Sequence, residues 1–319
     1  MKHKTIVFVF AHQDDEILIS GKIMFELAAR SNVHLVWCND GSGGTGLYAS
    51  YEDMVKCYSP CLLPNEDFDS LSQERIKEIL SIVRENEART AMESLGVQSE
   101  NMIFLKRSAE WMKKPDNVLS LIDELRCIFV EIKPDEIYCD AWECAHITHD
   151  ITNFTTVHAA RGLPESQPSI FEFPQYPLLK SYKKSLLKHL KKTKFADTVI
   201  HLLHYGIGQF ADEQGQSETL HLSPEQVKIK SGLMKYYVSQ SKLTSDFNSI
   251  LKARATLGIF LPQLKHMPDI EQWRLVPQSR DYGIVPCKGH RYSEYNQGLS
   301  DADYKRILGA ALESLINKT

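Results

Sequence analysis

The stretch that decides the fold is "VFVFAHQDDEILISG", residues 7–21. Five apolar residues are followed at once by a histidine, a glutamine and three acids, after which helix-compatible residues resume. The apolar run predicts a buried strand, and the residues after the acids predict a helix. Ligands of open α/β sheets bind beyond the carboxyl ends of the strands, so this polar cluster is the first candidate for chemistry.

Composition limits the classes of function that the chain can serve. It has 319 residues, of which 43% are apolar and 24% charged, with a formal net charge of −4. These values are typical of a soluble globular protein, and the missing basic excess argues against a nucleic-acid binder. No apolar run is long enough to cross a bilayer, and the run 6–11 is too short for a signal sequence. We therefore expect a cytoplasmic protein.

The seven cysteines favour free thiols over disulfides. Their number is odd and no C-x-x-C pair occurs, so the pattern fits a reducing compartment. A cysteine-based zinc site would need closely spaced pairs, which the sequence lacks.

Strands and helices alternate along the first half of the chain. The predicted strands cover residues 4–11, 33–38, 101–105 and 136–140, and the predicted helices 16–30, 71–95, 118–132 and 149–161. This alternation indicates an α/β class, with a Rossmann-like three-layer α/β/α arrangement and a mostly parallel sheet. We assign this core to residues 1–165 and a carboxyl-terminal elaboration to residues 166–319, within one domain spanning 1–319.

The second half is less rhythmic, and its elements are predicted individually. Apparent strands are "SIFEFPQY" (169–176) and "DTVIHLLH" (197–204). Apparent helices are "SPEQVKIKSGLMKYYVSQSK" (223–242) and "DADYKRILGAALESLINK" (301–318). In the first half, residues 47–68 show weak periodicity and contain two prolines, so an ordered loop or lid is expected there.

The acids after the first strand exceed what a helix start requires. One aspartate would serve as an N-cap, but His12, Asp14, Asp15 and Glu16 fall within five residues. The remaining carboxylates would repel one another unless a cation were present. His12 and Asp15, three residues apart around a tight turn, can face one metal ion, and this ligand pair suits zinc best, with other divalent ions possible. The alternative is a capped helix start with solvated acids.

A second polar segment follows another predicted strand and supplies the missing ligand. In "CDAWECAHITHDITN" (139–153), His146 and His149 are three residues apart and would share one side of a helical turn. Three protein ligands with one position left for water is the pattern of a catalytic zinc site, whereas a structural site is closed.

These two segments together resemble the PIG-L/LmbE-like zinc-dependent N-acetylglucosaminyl deacetylases. "AHQDDE" (11–16) matches the family pattern A-H-[PQ]-D-D-E after the first strand, and "HITH" (146–149) matches the two histidines of H-x-D-H. Weaker similarities are "NDGSGG" (39–44) and "RENEARTAMESLGV" (84–97). The resemblance covers the first half of the chain well and the remainder loosely.

The resemblance implies a role for each matched residue. His12, Asp15 and His149 would bind one Zn²⁺ per chain, and Asp14 would be the general base for the attacking water. His146 would stabilise the oxyanion or protonate the leaving amine. Zinc lowers the pKa of its water to about 7, which an amide hydrolase requires. Glu16 would support these residues by orienting His12 or capping the helix.

One position departs from the family pattern. Thr148 stands where the family has an aspartate that tunes the neighbouring histidine. Threonine cannot carry that charge, so we expect a reaction that is slower, shifted in pH optimum or lost. Asp140, Glu143 and Asp150 are candidates to replace the charge.

Three further residues are candidates for substrate binding. Asp40 either contacts substrate or closes its glycine-rich turn. Arg84 either reaches substrate or pairs with Glu85 or Glu87 on the helix face, and spacing favours the surface pair. Trp142 would offer a face for sugar stacking, because it lies near the histidine segment.

The sequence thus predicts a metal-dependent amidohydrolase that removes the N-acetyl group from an N-acetylamino sugar or its conjugate. One alternative is a metal-dependent hydrolase of another bond, a phosphoester or a different amide. Another is a catalytically silent sugar- or metal-binding relative, which the threonine at position 148 motivates. The expected partner is a small molecule rather than nucleic acid, and the sequence leaves homo-oligomerisation open.

Overall fold

A computed structural model describes residues 3–43, 48, 50–143, 146–164, 167–175, 216–242, 270–280, 282 and 301–317. These residues contain one seven-stranded sheet with the spatial order β3-β2-β1-β4-β5-β7-β6. The strands are β1 (Thr5–Phe10), β2 (Asn32–Asn39), β3 (Met102–Arg107), β4 (Glu136–Asp140), β5 (Ser169–Phe173), β6 (Ser217–His221) and β7 (Ile270–Leu275). The first five strands are parallel, whereas β7 and β6 add an antiparallel edge.

Helices lie between the parallel strands and follow them. They are α1 (Ser20–Ala28), α2 (Tyr51–Tyr58), α3 (Gln73–Glu93), α4 (Ala109–Met112), α5 (Pro115–Ile132), α6 (Ile147–Arg161), α7 (Pro224–Leu233), α8 (Asp301–Tyr304) and α9 (Ala310–Ile316). A π-helical segment, Lys305–Gly309, joins the last two. No described helix is long and apolar enough to cross a membrane.

Strand β1 shows why this sheet is buried on both faces. Its side chains alternate, with Ile6, Phe8 and Phe10 in one apolar cluster and Val7 and Val9 in the other. All five are completely buried. The first cluster packs against α1 and α3, and the second against α5 and α6. The predicted three-layer α/β/α fold is therefore confirmed.

The strand order places a topological switch point at β1. Its neighbours are β2 on one side and β4 on the other, and both pairs are parallel. The connections after β1 and β4 leave the sheet at this point and turn to opposite faces, so a crevice opens between them. The two polar segments found in the sequence occupy these two connections.

The carboxyl-terminal elements extend the sheet and hold α1 in place. Glu271 of β7 accepts hydrogen bonds from the backbone nitrogens of Gly21 and Lys22, each at 2.7 Å. Lys230 of α7 donates to the same carboxylate at 2.5 Å and to the carbonyl oxygen of Leu18 at 2.7 Å. A Cβ on Gly21 would come within 2.4 Å of a Leu222 methyl group and 2.8 Å of Glu271 Oε1, so a larger residue would displace these two side chains. The free amide groups of the helix start are thereby satisfied by a distant strand.

Two predicted segments differ from the structure. Residues 47–68 contain α2 and the 3₁₀ turns Ser59–Cys61 and Phe68–Ser70, rather than a loop without helix. This segment buries Tyr58 against α3, and that contact provides the stability that its weak periodicity did not reveal. The helix predicted over 16–30 begins only at Ser20, because Asp15–Ile17 forms a separate 3₁₀ turn.

Other sequence predictions have mixed outcomes. The helix predicted over 71–95 corresponds to α3, and Gly96 follows it with a φ of +99°, a conformation that favours glycine after a helix. The five described cysteines are free thiols, in line with the expectation for all seven. Strand β7 was not predicted, and the strand predicted over 197–204 lies outside the described residues.

Candidate metal centre and active site

The β1 connection folds into a tight turn around one carboxylate. Asp15 Oδ2 accepts a hydrogen bond of 2.7 Å from the backbone nitrogen of His12. The 3₁₀ turn Asp15–Ile17 follows, and its first two residues are buried acids. The turn places the side chains of His12 and Asp15 on the same side of the crevice, as their spacing predicted.

The β4 connection is fixed by buried side-chain hydrogen bonds to the backbone. Asp140, at the end of β4, accepts from the backbone nitrogen of Ala11 at 2.7 Å and thus ties the two connections together. Asp150 accepts from the backbone nitrogen of Glu143 at 2.8 Å, and Asn153 donates to the Asp140 carbonyl at 2.7 Å. The first turn of α6 is therefore held rigidly against the end of β1.

Three side-chain atoms from the two connections form a compact triangle. His12 Nδ1 lies 3.0 Å from His149 Nε2 and 3.4 Å from Asp15 Oδ2, and His149 Nε2 lies 3.6 Å from Asp15 Oδ2. Ligand atoms about 2.1 Å from one tetrahedral metal are about 3.4 Å apart. The spacing of the triangle therefore matches the ligand shell of a single divalent ion.

A second grouping shares two of these residues. Among the described residues, His12, His146 and His149 offer ring nitrogens that all lie within 4.8 Å of one another. The orientation of His12 separates the two groupings, because its Nδ1 faces Asp15 and His149 whereas its Nε2 faces Thr148, on the side of His146. A metal at Nδ1 therefore meets Asp15 and His149 and leaves His146 outside the triangle.

Thr148 connects the two histidines that lie on either side of it. Its Oγ1 is 2.9 Å from His12 Nε2 and 2.6 Å from His146 Nδ1. The acids considered as replacements for a charge at this position are occupied elsewhere. Asp140 and Asp150 hold backbone nitrogens, as described above, and Glu143 accepts from the backbone nitrogen of Gln175 at 2.5 Å.

Asp14 lies beside the triangle and is paired with a buried cation. Arg84 Nη2 is 3.0 Å from Asp14 Oδ1 and donates to the Gln13 carbonyl at 2.8 Å. Arg84 is only 6% exposed, so the predicted surface pair with Glu85 or Glu87 is wrong. The guanidinium points from α3 into the crevice, because the arginine stem packs beneath the turn that contains Gly41. Asp14 therefore keeps a fixed orientation.

Burial and neighbouring charges shift the pKa values of the site residues. Burial raises the pKa of Asp14, and although Arg84 opposes this shift, the adjacent Asp15 adds to it. Burial by itself would raise the pKa of Asp15, but the neighbouring His149 and His12 bring that pKa well below its usual range. Burial lowers the pKa of His149 to about 3 and that of His146 well below its ordinary value. Burial thus favours the neutral forms of His149 and His146, and the neutral imidazole is the form that binds metals.

Glu16 supports the turn from beneath rather than contacting His12. It is completely buried and accepts hydrogen bonds from Trp37 Nε1 at 3.0 Å, the Asp14 backbone nitrogen at 2.9 Å and the Tyr237 hydroxyl. Burial raises its pKa to about 7, although these hydrogen bonds oppose the shift. Sequence reasoning missed Trp37 and Tyr237, because no local pattern connects either residue to the acidic cluster.

Two of the three substrate-binding candidates have contacts within the protein. Asp40 accepts from the backbone nitrogen and hydroxyl of Ser42 at 2.9 and 2.8 Å, so it closes its turn. Trp142 is 3% exposed and packs against Tyr282 and Tyr304, with ring centroids 4.7 and 6.1 Å away. The expectation that Trp142 offers a face for sugar stacking is therefore corrected, because its ring belongs to the core.

Comparison with known families gives one match. Residues 7–160 match the family model described as PIG-L, GlcNAc-PI de-N-acetylase. This region starts in β1 and ends in α6, so it contains both connections that form the site. A comparison with curated proteins found no match.

Solved structures similar to this chain share its fold. The A40926 pseudoaglycone deacetylase Dbv21 aligns with a TM-score of 0.54 and 16% identity, covering 88% of this chain and 100% of that one. A structure described as the zinc inhibited form of teicoplanin deacetylase Orf2 aligns with a TM-score of 0.51 and 15% identity, covering 87% and 99%. The 4-carboxy-2-hydroxymuconate hydratase GalB from Pseudomonas putida KT2440 aligns with a TM-score of 0.50 and 14% identity, covering 87% and 98%. The fold therefore hosts more than one reaction, and the site must decide which one this chain performs.

Proposed function

We propose that this chain is a metal-dependent amidohydrolase, on the premise that residues 7–160 match the PIG-L family model. Its substrate is an N-acetylamino sugar or a conjugate of one, and the products are acetate and the free amine. The observation that carries the proposal is the triangle of His12 Nδ1, Asp15 Oδ2 and His149 Nε2 with Asp14 beside it. Two imidazoles and one carboxylate leave a coordination position open, which is the arrangement of catalytic rather than structural zinc sites.

The donor set fits a divalent ion on chemical grounds as well as spacing. The two ring nitrogens and the carboxylate oxygen lie 3.0 to 3.6 Å apart, and the carboxylate is anionic because the pKa of Asp15 is low. Neutral imidazole and carboxylate ligands suit zinc and neighbouring transition metals. A related deacetylase has a zinc inhibited form, so we propose zinc as the first metal to test and include others.

Asp14 is the proposed general base. A metal held by His12, Asp15 and His149 would supply Lewis-acid polarisation of the acetyl carbonyl and would lower the pKa of water at the site to about 7. The proton of the attacking water passes to Asp14, whose pKa is raised by burial and therefore lies nearer the working pH. Arg84 holds the Asp14 carboxylate in position through its 3.0 Å ion pair.

His146 is the proposed hydrogen-bond partner of the reacting carbonyl. Its ring is T-shaped to that of His12, with centroids 4.8 Å apart, and it lies outside the metal triangle. A ring N–H placed there stabilises the developing oxyanion by a hydrogen bond. The proton that Asp14 takes from the water passes to the leaving amine nitrogen as the carbon–nitrogen bond breaks, and the neutral His146 ring keeps its own hydrogen.

Acetate release tests the proposal directly. The protein is stripped with a chelator, reloaded with zinc, cobalt or manganese, and incubated with a panel of N-acetylglucosamine conjugates. We expect acetate only from metal-loaded protein, and zinc is titrated from below one equivalent per chain so that inhibition by excess metal is recognised. Metal binding without acetate from any conjugate would identify a catalytically silent relative. Release of phosphate from phosphorylated sugars under the same conditions would favour the phosphoesterase alternative.

A further inference from the structure

The Thr148 hydroxyl joins two histidine rings that have different roles in the proposed reaction. Its oxygen lies 2.9 Å from His12 Nε2 and 2.6 Å from His146 Nδ1. Thr148 is completely buried in the first turn of α6. In the described part of the chain, these two ring nitrogens are the hydrogen-bond partners of the hydroxyl.

Proton counting limits how these two contacts can form. A hydroxyl has one hydrogen, and a neutral imidazole carries one hydrogen on one of its two nitrogens. If both nitrogens lacked hydrogen, a single hydroxyl hydrogen would have to serve two acceptors. If both carried hydrogen, the buried hydroxyl hydrogen would face two donors, at a cost of about 1–3 kcal/mol for an unsatisfied group. Both contacts are satisfied when one ring donates and the other accepts.

The ligand side of His12 decides which ring donates. Its Nδ1 faces Asp15 Oδ2 and His149 Nε2, so that nitrogen must be free of hydrogen when it binds a metal. The hydrogen of His12 then resides on Nε2 and is donated to Thr148. The hydroxyl hydrogen is donated in turn to His146 Nδ1, which leaves the ring hydrogen of His146 on Nε2.

We propose that Thr148 is a positioning residue that couples the tautomer of His146 to that of His12. Only one of the two nitrogens His12 Nε2 and His146 Nδ1 carries a hydrogen. When a metal binds His12 Nδ1, the hydrogen of His12 lies on Nε2, and the hydrogen of His146 therefore lies on its own Nε2. This inference rests on the ligand set of the proposed function but not on its substrate. A neutral relay thereby takes the place of the charged partner that an aspartate at position 148 would provide.

Histidine tautomers can be observed directly by NMR. Long-range ¹H–¹⁵N correlation spectra of protein labelled at its histidines show which ring nitrogen carries hydrogen, and His12→Asn and His146→Asn assign the signals. Spectra are recorded at alkaline pH, where histidines are neutral, with and without zinc, a metal that has no redox chemistry. We expect zinc-loaded protein to show hydrogen on Nε2 of both His12 and His146. Hydrogen on Nδ1 of His146 in that form would overturn the proposal.

Two substitutions of Thr148 separate the relay from simple packing. Thr148→Val keeps the shape but removes the hydroxyl, and Thr148→Ser keeps the hydroxyl with less packing. We expect zinc-loaded Thr148→Val to show both His146 tautomers and Thr148→Ser to retain the single Nε2–H form, with zinc content unchanged in both. A single unchanged tautomer in Thr148→Val would show that the hydroxyl does not set it.

Turnover gives a second readout that depends on the proposed function. Removing a residue that hydrogen-bonds to a metal-site histidine typically lowers activity by about 10- to 100-fold. We expect kcat of Thr148→Val to fall by that factor with little change in KM, and Thr148→Ser to recover most of it. A Thr148→Val variant with wild-type kcat would contradict the positioning role. If no substrate is turned over at all, the spectra still decide on the relay, so failure of the proposed function and failure of the relay are distinguishable.

Discussion

The β1 and β4 connections and the carboxyl-terminal elements meet at the same edge of the sheet but contribute different things. The connections supply side chains that face the crevice, with His12 and Asp15 from one and His149 from the other. The carboxyl-terminal elements supply side chains that hold carboxylates behind the crevice, among them Tyr237 on Glu16. One region therefore carries the proposed chemistry, and the other keeps its buried acids satisfied.

The two regions differ in whether one lost contact can be replaced by another. A ligand triangle needs three particular atoms at about 3 to 4 Å from one another, so replacing one atom removes the function. A buried carboxylate with several donors loses only part of its stabilisation when one donor is removed. Glu87 illustrates this, because it accepts two hydrogen bonds from Ser239, from the backbone nitrogen at 2.7 Å and the hydroxyl at 2.5 Å. We therefore expect large losses of function in the first region and graded losses of stability in the second.

The largest expected effect is that of Asp14→Asn. The amide cannot accept a proton, so kcat should fall by about 10²- to 10⁴-fold, the usual worth of a general base. Metal content should be unchanged, because Asp14 lies beside the triangle rather than in it. Acetate release and metal analysis measure the two quantities. Asp123→Asn is the matched control, since its exposed carboxylate lies on α5 and forms an ion pair of 3.0 Å with Arg126. An Asp14→Asn enzyme with normal kcat would remove Asp14 from the mechanism.

The next effect distinguishes the two possible ligand groupings. His149→Ala should weaken metal binding by more than about a hundredfold, since loss of a supporting contact alone costs 10- to 100-fold. His146→Asn should retain metal, because His146 lies on the Nε2 side of His12, away from the triangle. Competition with a chelating dye measures both affinities. Equal loss in the two variants would favour the three-histidine grouping over the set that contains Asp15.

The sequence was sufficient to predict the fold of the first half, for a physical reason. Each strand there is a short apolar run followed by a helix, and parallel strands with right-handed crossovers leave few arrangements. The acids after β1 and the histidines after β4 had to meet at one edge of the sheet, because carboxyl ends of parallel strands lie together. The structure brings His12, Asp15 and His149 within 3.6 Å of one another at that edge.

The sequence could not reveal the contacts that depend on distant segments. Arg84 has the spacing of a helix surface pair, but its side chain packs against the turn at Gly41 and pairs with Asp14. Trp142 lies near the histidines along the chain, but packing against Tyr282 directs its ring into the core. Tyr237 is 221 residues from Glu16 along the chain. Such pairs have no local periodicity, so no sequence pattern records them.

Removing the Tyr237 hydroxyl should produce a graded effect that is typical of the supporting region. Tyr237→Phe leaves the buried Glu16 with two donors instead of three. We expect the free energy of unfolding to fall by about 1–3 kcal/mol, the usual cost of an unsatisfied buried group. Urea unfolding of the metal-free protein measures it, and Tyr236→Phe is the control because that neighbouring ring is only partly buried. If Tyr237→Phe lost activity as completely as Asp14→Asn while its stability was unchanged, Tyr237 would belong with the reacting groups.

The smallest expected effect is the pH dependence of stability due to Glu87. Burial raises its pKa from 4.5 to about 7, against the opposing hydrogen bonds from Ser239 and the charge of Arg84. An acid with a raised pKa in the folded state binds its proton more tightly there. Its contribution to stability is therefore full below pH 4.5 and is lost as the pH rises towards 7. In Glu87→Gln the side chain still offers Ser239 a polar partner but cannot gain or lose a proton. The free energy of unfolding of this variant should therefore depend less on pH than that of the wild type.

Between pH 4.5 and about 7, the free energy of unfolding of the wild type should fall by up to about 1.4 kcal/mol per pH unit relative to that of Glu87→Gln. Urea unfolding at about pH 5.5 and 6.5 measures the difference, and Glu16, whose pKa is also raised, contributes equally to both proteins. Glu85→Gln on the same helix is the control, because its ion pairs with Lys106 and Arg89 lower the pKa of Glu85 despite partial burial. Parallel pH profiles for the wild type and Glu87→Gln would mean that Arg84 keeps Glu87 ionised. The supporting region would then hold a buried ion pair at the crevice rather than a neutral acid.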